Sequence, residues 1–313
     1  MKASVVVCAF DVGRWAHTVD AVESVLAQDV PAEEVVLVID HNSELLERAR
    51  AMWPDPPVRV IASWGARGLS GARNTGVAVT SSEIVAFLDD DAVAEPTWLG
   101  RLLAPYADGD VVACGGAVLP SLAGRRPGWW PAEFDWIVGC SYVGLPTERA
   151  DVRNVIGANM SARRDAVVAV GGFPEGIGRV GSRPVGCEET YLSIRLTQHR
   201  PRARVVYEPA AVVHHWVPAS RLSWRYFRSR CLAEGLSKAL VASGVGTERA
   251  LASERAYAWK VLPRGIVRGV LAGAPRRSLA IAAGLALTTA GYTRGRLRGV
   301  SVAGPASLRE VAA

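Results

Sequence analysis

The feature that most restricts this chain is an apolar run that ends in three carboxylates: Glu83–Ala92 reads E-I-V-A-F-L-D-D-D-A. Ile84–Leu88 has the length and composition of a strand buried on both faces. Asp89, Asp90 and Asp91 then crowd like charge at its end, which is unfavourable unless something offsets it. A solvated acidic turn is one resolution. The other is a hard divalent cation shared between carboxylate oxygens and an anionic ligand. Asp89 and Asp91 would then form a D-x-D pair at the edge where open α/β sheets bind ligands. The triplet alone supports both readings equally.

Hydrophobic spacing sets the fold class. Strands are expected at Ala3–Ala9, Glu34–Ile39, Val58–Ala62 and Ile84–Leu88, and helices between them at Trp15–Gln28, Glu44–Trp53 and Ser70–Ala78. This alternation predicts an α/β fold with a mostly parallel central sheet flanked by helices. Further on, a helix is expected at Pro96–Tyr106, a strand at Val111–Val118 and a helix at Arg163–Val170. Short strands are expected at Val205–Tyr207 and Ala211–Val213. Residues 120–150, rich in Pro, Gly and Trp, predict an irregular insertion in which Trp129, Trp130 and Trp136 either pack or stack on a sugar ring.

The 5 cysteines lie far apart with no C-x-x-C pair, which argues against a disulfide framework or a zinc site and fits a reducing cytosolic compartment. No succession of charged, apolar and cleavage regions opens the chain, so no signal peptide is expected. The net charge of +6 is uneven: residues 221–299 hold 15 Lys or Arg against 3 Glu, leaving the remainder at −6. A basic C-terminal region on an acidic body suggests an anionic surface or ligand.

Other polar clusters fall just past the expected strands. Asp40 suits a base or ribose edge, or an ordinary turn. Gly68–Asn74 puts small residues before a helix start with Arg73 in its first turn, a setting for diphosphate oxygens or simply a surface loop. Neither a Walker loop nor a G-x-G-x-x-G fingerprint is present. Glu188 and Glu189 open a helix, where they favour its dipole or supply a base. His214 and His215 follow the last expected strand.

Taken in order, V-V-V-C-A-F, V-I-D-H-N-S, G-L-S-G-A-R-N-T-G, F-L-D-D-D, G-A-N-M-S, G-G-F, G-C-E-E-T and V-x-H resemble a family 2 glycosyltransferase over roughly residues 3–240. The resemblance implies an inverting enzyme of the GT-A nucleotide-sugar fold, dependent on a divalent metal (Mg or Mn). It implies a donor site formed by Ala9, Phe10, Asp40, Gly71, Arg73, Asp89 and Asp90, with Arg73 near the diphosphate. It further implies metal ligands Asp91, Asp89 and His215, and Glu189 as the base with Glu188 as its alternative. Within the family, several motifs resemble the branch named for glucuronic acid transfer to glucosyl-dolichyl phosphate. Arg179 and Arg183, in the glycine-rich loop 176–186, then suit a carboxylate-bearing donor or a phospholipid acceptor, or are surface charges.

The expected organisation is a catalytic domain over residues 1–220, a basic helical extension over 221–300 and a flexible tail over 301–313. Trp224, Phe227, Cys231, Leu232, Leu236 and Ala239 have helical spacing, with Arg225, Arg228 and Lys238 elsewhere. Such a helix either lies on an anionic membrane or packs on the catalytic domain. Ser278–Tyr292 is uncharged but falls short of the ~20 residues of a spanning helix, and is read as an interfacial or re-entrant anchor, with a short span as the alternative. The expected partners are a nucleotide sugar, a saccharide or polyprenyl-phosphate-linked acceptor and the inner face of the cell membrane. No nucleic acid is expected, because the basic residues alternate with apolar ones. The competing readings are a soluble enzyme acting on a small natural product, a nucleotide or nucleic-acid binding module and a catalytically dead scaffold.

Overall fold

A computed structural model of the chain describes residues 1–175, 177–178 and 186–302. Arg179, Arg183 and most of the glycine-rich loop lie outside the described residues, as does the tail beyond residue 302. The first half alternates strand and helix: β1 (Ala3–Ala9), α1 (Trp15–Leu26), β2 (Glu34–Ile39), α2 (Ser43–Met52), β3 (Val58–Ala62), α3 (Leu69–Val79) and β4 (Ile84–Asp89). Then come β5 (Ala92–Ala94), α4 (Trp98–Leu103), β6 (Val111–Leu122), β7 (Ala150–Asp151), β8 (Asn159–Arg163), α5 (Arg164–Ala169), α6 (Glu188–His199) and β9 (Arg204–Val217). The C-terminal region is helical: α7 (Trp224–Val245), α8 (Thr247–Ala250), α9 (Ala252–Ala256), α10 (Leu262–Leu271) and α11 (Pro275–Leu297), with a π-helical turn at Tyr257–Val261.

The strands form one mixed sheet in the order β3-β2-β1-β4-β8-β6-β9-β5, with β7 also pairing β9. β3, β2, β1 and β4 run parallel, as strands linked by crossover helices must. Their alternate residues serve two layers. Val5, Val7, Leu37 and Ile39 pack on one face, and Val6, Val36, Val38 and Val85 on the other. Each such fully buried side chain contributes about 2 kcal/mol of transfer free energy.

The topology positions the acidic triplet. Only Asp90 and Asp91 separate β4 from β5 in sequence, yet β8, β6 and β9 stand between those strands in the sheet. The sheet must therefore curl until its far edge returns to the end of β4, and the triplet spans the seam. β5 pairs antiparallel with β9, Ala92 opposite His215, and the Trp216 N–H donates to the Asp91 carbonyl at 2.7 Å.

β9 corrects the expectation of two short strands that end before the histidines. It is one strand whose pairing with β6 jumps between Gly116 and Ala117, from Glu208 to Val212. The Asn159 amide holds this bulge by donating to the Ala117 and Ala211 carbonyls, and its Oδ1 accepts from the Trp98 indole. A Cβ at Gly116 would lie 1.8 Å from the Ala211 oxygen, so only glycine fits there.

The insertion after β6 folds back as a 3-10 segment, Ala132–Val138. Its tryptophans pack. Trp129 and Trp130 meet Phe227 edge-on at centroid distances of 5.5 and 5.7 Å. For α7 the structure supports packing over membrane contact. Phe227, Cys231, Ala239 and Val241 are buried, and Gly235 and Gly291 bring α7 and α11 into backbone contact. Lys238, expected off the apolar face, is paired with Glu234 at 3.1 Å and with Glu254. Ser278–Tyr292 lies inside α11, and among the described residues no helix is long and apolar enough to cross a membrane.

Candidate active site

α3 begins at Gly68, whose φ of 125° turns the chain into the helix. A Cβ at Gly71 would strike the Ala66 carbonyl at 1.9 Å, so glycine there lets loop and helix close up. One turn on, Arg73 is 2% exposed. Its guanidinium donates to Glu188 Oε1 at 3.0 Å, Asp89 Oδ1 at 3.1 Å and the Gly157 carbonyl at 3.0 Å. The rings of Phe87 and Phe173 flank it at 5.9 and 5.3 Å. Arg73 thus ties α3, the end of β4 and the start of α6 together. Its N–H groups are turned to protein oxygens, and in this structure it holds two carboxylates in place.

The crowding of the triplet is resolved residue by residue. Asp89 is held by Arg73. Asp91 meets His215 Nε2 at 3.1 Å and the Arg14 guanidinium at 3.1 Å, with Arg221 at 4.0 Å. Burial alone would raise the Asp91 carboxyl, but His215, Arg14 and Arg221 together hold it well below the usual carboxylate range. Asp90 goes the other way. Burial and the neighbouring Asp91 charge outweigh Arg14 and push it up to about 8, which favours its protonated form. Its Oδ2 is buried and accepts no hydrogen bond among the described residues.

Asp89, Asp91 and His215 present ligand atoms that all lie within 4.8 Å of one another. Two carboxylates and an imidazole are a donor set for a divalent ion of the Mg or Mn kind. The Arg14 guanidinium, drawn in beside Asp91, shows that the carboxylate attracts positive charge, and the unpartnered Asp90 oxygen leaves a polar atom free at the same spot. The site fits such an ion.

Glu188 and Glu189 open α6 after Cys187, whose φ is 75°. The helix start is anchored from α7. The Gly186 N–H donates to Ser237 Oγ at 3.1 Å, and Cys187 Sγ lies 3.3 Å from Glu234. Glu188 is buried and paired with Arg73, whereas Glu189 is half-buried and accepts from the Thr190 hydroxyl at 3.4 Å. Burial and the Glu188 charge push the Glu189 carboxyl up to about 8.

The remaining sequence candidates line the strand ends beside this cluster. Ala9 is buried at the end of β1, its carbonyl accepting from the Asp40 N–H, and Phe10 is exposed. Asp40 accepts from the Gly68 N–H at 2.9 Å and contacts His41 Nδ1 at 2.7 Å, so it also fixes the loop before α3. Sequence reading passed over Arg14 and Arg221. Arg14 closes a 3-10 turn capped by the Asp11 carboxylate, and nothing in D-V-G-R announces that its side chain returns to the triplet.

The family described as Glycosyl transferase family 2 matches residues 4–171. The glucosyl-dolichyl phosphate glucuronosyltransferase of Haloferax volcanii is 36% identical over 240 residues, covering 76% of each chain. The succinoglycan biosynthesis protein ExoM of Rhizobium meliloti is 27% identical over 279 residues, covering 86% of this chain and 82% of the relative. Among solved structures, the mannosyltransferase PcManGT of Pyrobaculum calidifontis, in complex with GDP-Man and Mn²⁺, superposes with a TM-score of 0.59 at 16% identity. That match covers 96% of this chain and 88% of the other. GalNAc-T7, solved with UDP, GalNAc and Mn²⁺, gives 0.56 at 15% identity over 88% of this chain, which spans 58% of that longer one. At such identities the structural matches speak to the fold, which is GT-A.

Removing Arg73 tests its holding role. Arg73→Ala leaves the buried Glu188 carboxylate unpaired and is expected to cost about 3 kcal/mol of unfolding free energy. Denaturant titration measures it; a loss below about 1 kcal/mol, the range of an exposed pair, would contradict that role.

Proposed function

The chain belongs to glycosyl transferase family 2, and from that premise we propose that this glycosyltransferase moves a sugar from a UDP-linked donor to a hydroxyl of a lipid-linked saccharide, with inversion. The observation that carries the reading is the gathering of Asp89, Asp91 and His215 at the sheet seam, with Glu189 opening α6 nearby and Arg73 linking the two sides. The Haloferax volcanii relative is named for glucuronosyl transfer to glucosyl-dolichyl phosphate. We carry this across as the donor and acceptor class to try first: UDP-glucuronic acid and a polyprenyl-phosphate-linked sugar. That acceptor sets the place of action at the cytosolic face of the cell membrane. Residues 1–220 would be the catalytic domain and the helices after it an extension.

In the proposed reaction Asp89, Asp91 and His215 would hold a divalent ion, which would supply positive charge to offset that on the departing nucleoside diphosphate. Arg14 and Arg221 add fixed positive charge beside it. The acceptor hydroxyl gives its proton to the Glu189 carboxylate as its oxygen bonds to the anomeric carbon. The bond from that carbon to the diphosphate oxygen breaks on the opposite face. Two carboxylates flanking a bond to water, as in a glycosidase, are not required. Arg73 keeps Asp89 and Glu188 in place for this arrangement.

A panel of UDP-, GDP- and TDP-sugars with Mn²⁺ tests the reading by thermal shift and nucleotide release. One donor should stabilise the wild type only with metal. Asp91→Ala should lose that shift, and Glu189→Gln should keep it while turnover drops at least about a hundredfold, the usual scale for a lost general base. No shift with any nucleotide sugar, with or without metal, would remove the basis of the proposal.

The pH profile separates the two glutamates. A base whose carboxyl is raised to about 8 is protonated at neutral pH, so turnover should fall as pH drops through 8. Glu188→Gln removes the like charge beside it and should move this acid limb to lower pH. An unmoved limb would contradict the coupling of the two carboxylates, and loss of turnover in Glu188→Gln with Glu189→Gln still active would assign the base to Glu188.

A further inference from the structure

α10 is built the opposite way round from a helix that packs on a water-soluble body. Its inward positions are Leu262, Gly265 and Gly269, and the glycines let it press onto its neighbours. A Cβ at Gly269 would lie 2.4 Å from Ser278 Oγ, and one at Gly265 2.5 Å from the Glu133 carboxylate. Its large apolar side chains face out: Val267 is 57% exposed, Val270 60% and Leu271 82%. Trp259, in the π-helical turn just before it, is 81% exposed, and Leu279 at the start of α11 is 69% exposed. Arg264 and Arg268 stand one turn apart on the same exposed side. Residues 259–298 carry 8 Lys or Arg and no Asp or Glu.

We infer that this face, Trp259 through Leu279, is where the protein lies on an anionic phospholipid surface. Water is a poor medium for a Trp, two Val and two Leu left uncovered together, while the acyl boundary of a bilayer takes such a row. Arginine stems lie along the apolar layer and bring their guanidinium groups to the phosphates. The charge pattern selects this occupant over others. A second copy would oppose 8 positive charges with 8 more, with no acidic residue in the stretch to offset them. A nucleic acid would meet apolar side chains set between the arginines.

The helices that carry the face also connect to the site through one segment. The 3-10 segment Ala132–Val138 supports α10 and α11, since Glu133 fills the space at Gly265 and Phe134 that at Gly284. The segment ends at Gly139, where a Cβ would lie 3.4 Å from His215 Cε1, and Cys140 Sγ is 3.8 Å from His215 Nδ1. One short segment therefore separates the lipid-facing helices from the candidate metal ligand. The inference deepens the lipid-linked acceptor proposed above and rests on that reading for its purpose, but it is tested without donor or acceptor.

The full chain is sedimented with vesicles of phosphatidylcholine alone and of phosphatidylcholine with phosphatidylglycerol, at low and high salt. Two exposed double variants run alongside, Val267→Ser with Leu271→Ser, and Arg264→Gln with Arg268→Gln, each checked by circular dichroism. The wild type should bind the anionic vesicles and be released by salt, and each double variant should lose about tenfold or more in partitioning. A wild type left in the supernatant at low salt would overturn the inference, as would equal binding to neutral vesicles or a Val267/Leu271 variant that binds like wild type. A dimer that the Val267/Leu271 variant disperses, or RNA retained as strongly as lipid, would also overturn it. Donor-induced thermal shifts on the same preparations show whether the transferase reading stands or falls separately.

Discussion

A single buried guanidinium fixes the chemistry of this fold. Arg73 spends its N–H groups on Asp89, Glu188 and the Gly157 carbonyl, each from a different part of the chain, while two phenylalanine rings exclude water around it. Such a cation costs several kcal/mol to bury unless its partners are complete. The geometry is therefore specified tightly: α3, the end of β4 and the start of α6 must all arrive for any of them to be satisfied. The two acidic elements of the proposed reaction are thereby held at a set spacing. Asn74, the next residue, exchanges two hydrogen bonds with the Phe173 backbone and secures the G-G-F turn to the same helix.

The curl of the sheet supplies the second constraint. With two residues between β4 and β5, the far edge of the sheet must return to the first half, and Asp91 becomes the corner shared by both. His215 reaches that corner through register, opposite Ala92, and the register depends on the bulge that Asn159 and Gly116 permit. Like charge at the corner is tolerated because burial favours the protonated form of Asp90 and Asp91 has three cationic or donor neighbours.

The parallel half was legible because β1, β2 and β4 are continuous apolar runs separated by helical spacing, a pattern that few folds satisfy. Asp89, Asp91, Glu188, Glu189 and His215 were legible as motif members, and the structure brings Asp89, Asp91 and His215 to one point. What stayed hidden depended on long-range pairing. Pro209 looks like a strand end, yet it falls in a bulge where a missing N–H costs nothing. Arg14 and Arg73 have side chains long enough to reach partners that spacing does not mark. The pairing of Lys238 stayed hidden because its partner Glu254 comes from a later helix.

The account turns on whether Asp89, Asp91 and His215 hold a metal that in turn meets the donor diphosphate. Pulsed electron paramagnetic resonance of Mn²⁺ bound to the protein with UDP reads both contacts on one ion. The account predicts phosphorus coupling from the nucleotide together with histidine-nitrogen coupling, the latter lost in His215→Ala. UDP bound with no manganese beside it, or manganese that couples to phosphorus with no histidine signal, would contradict it.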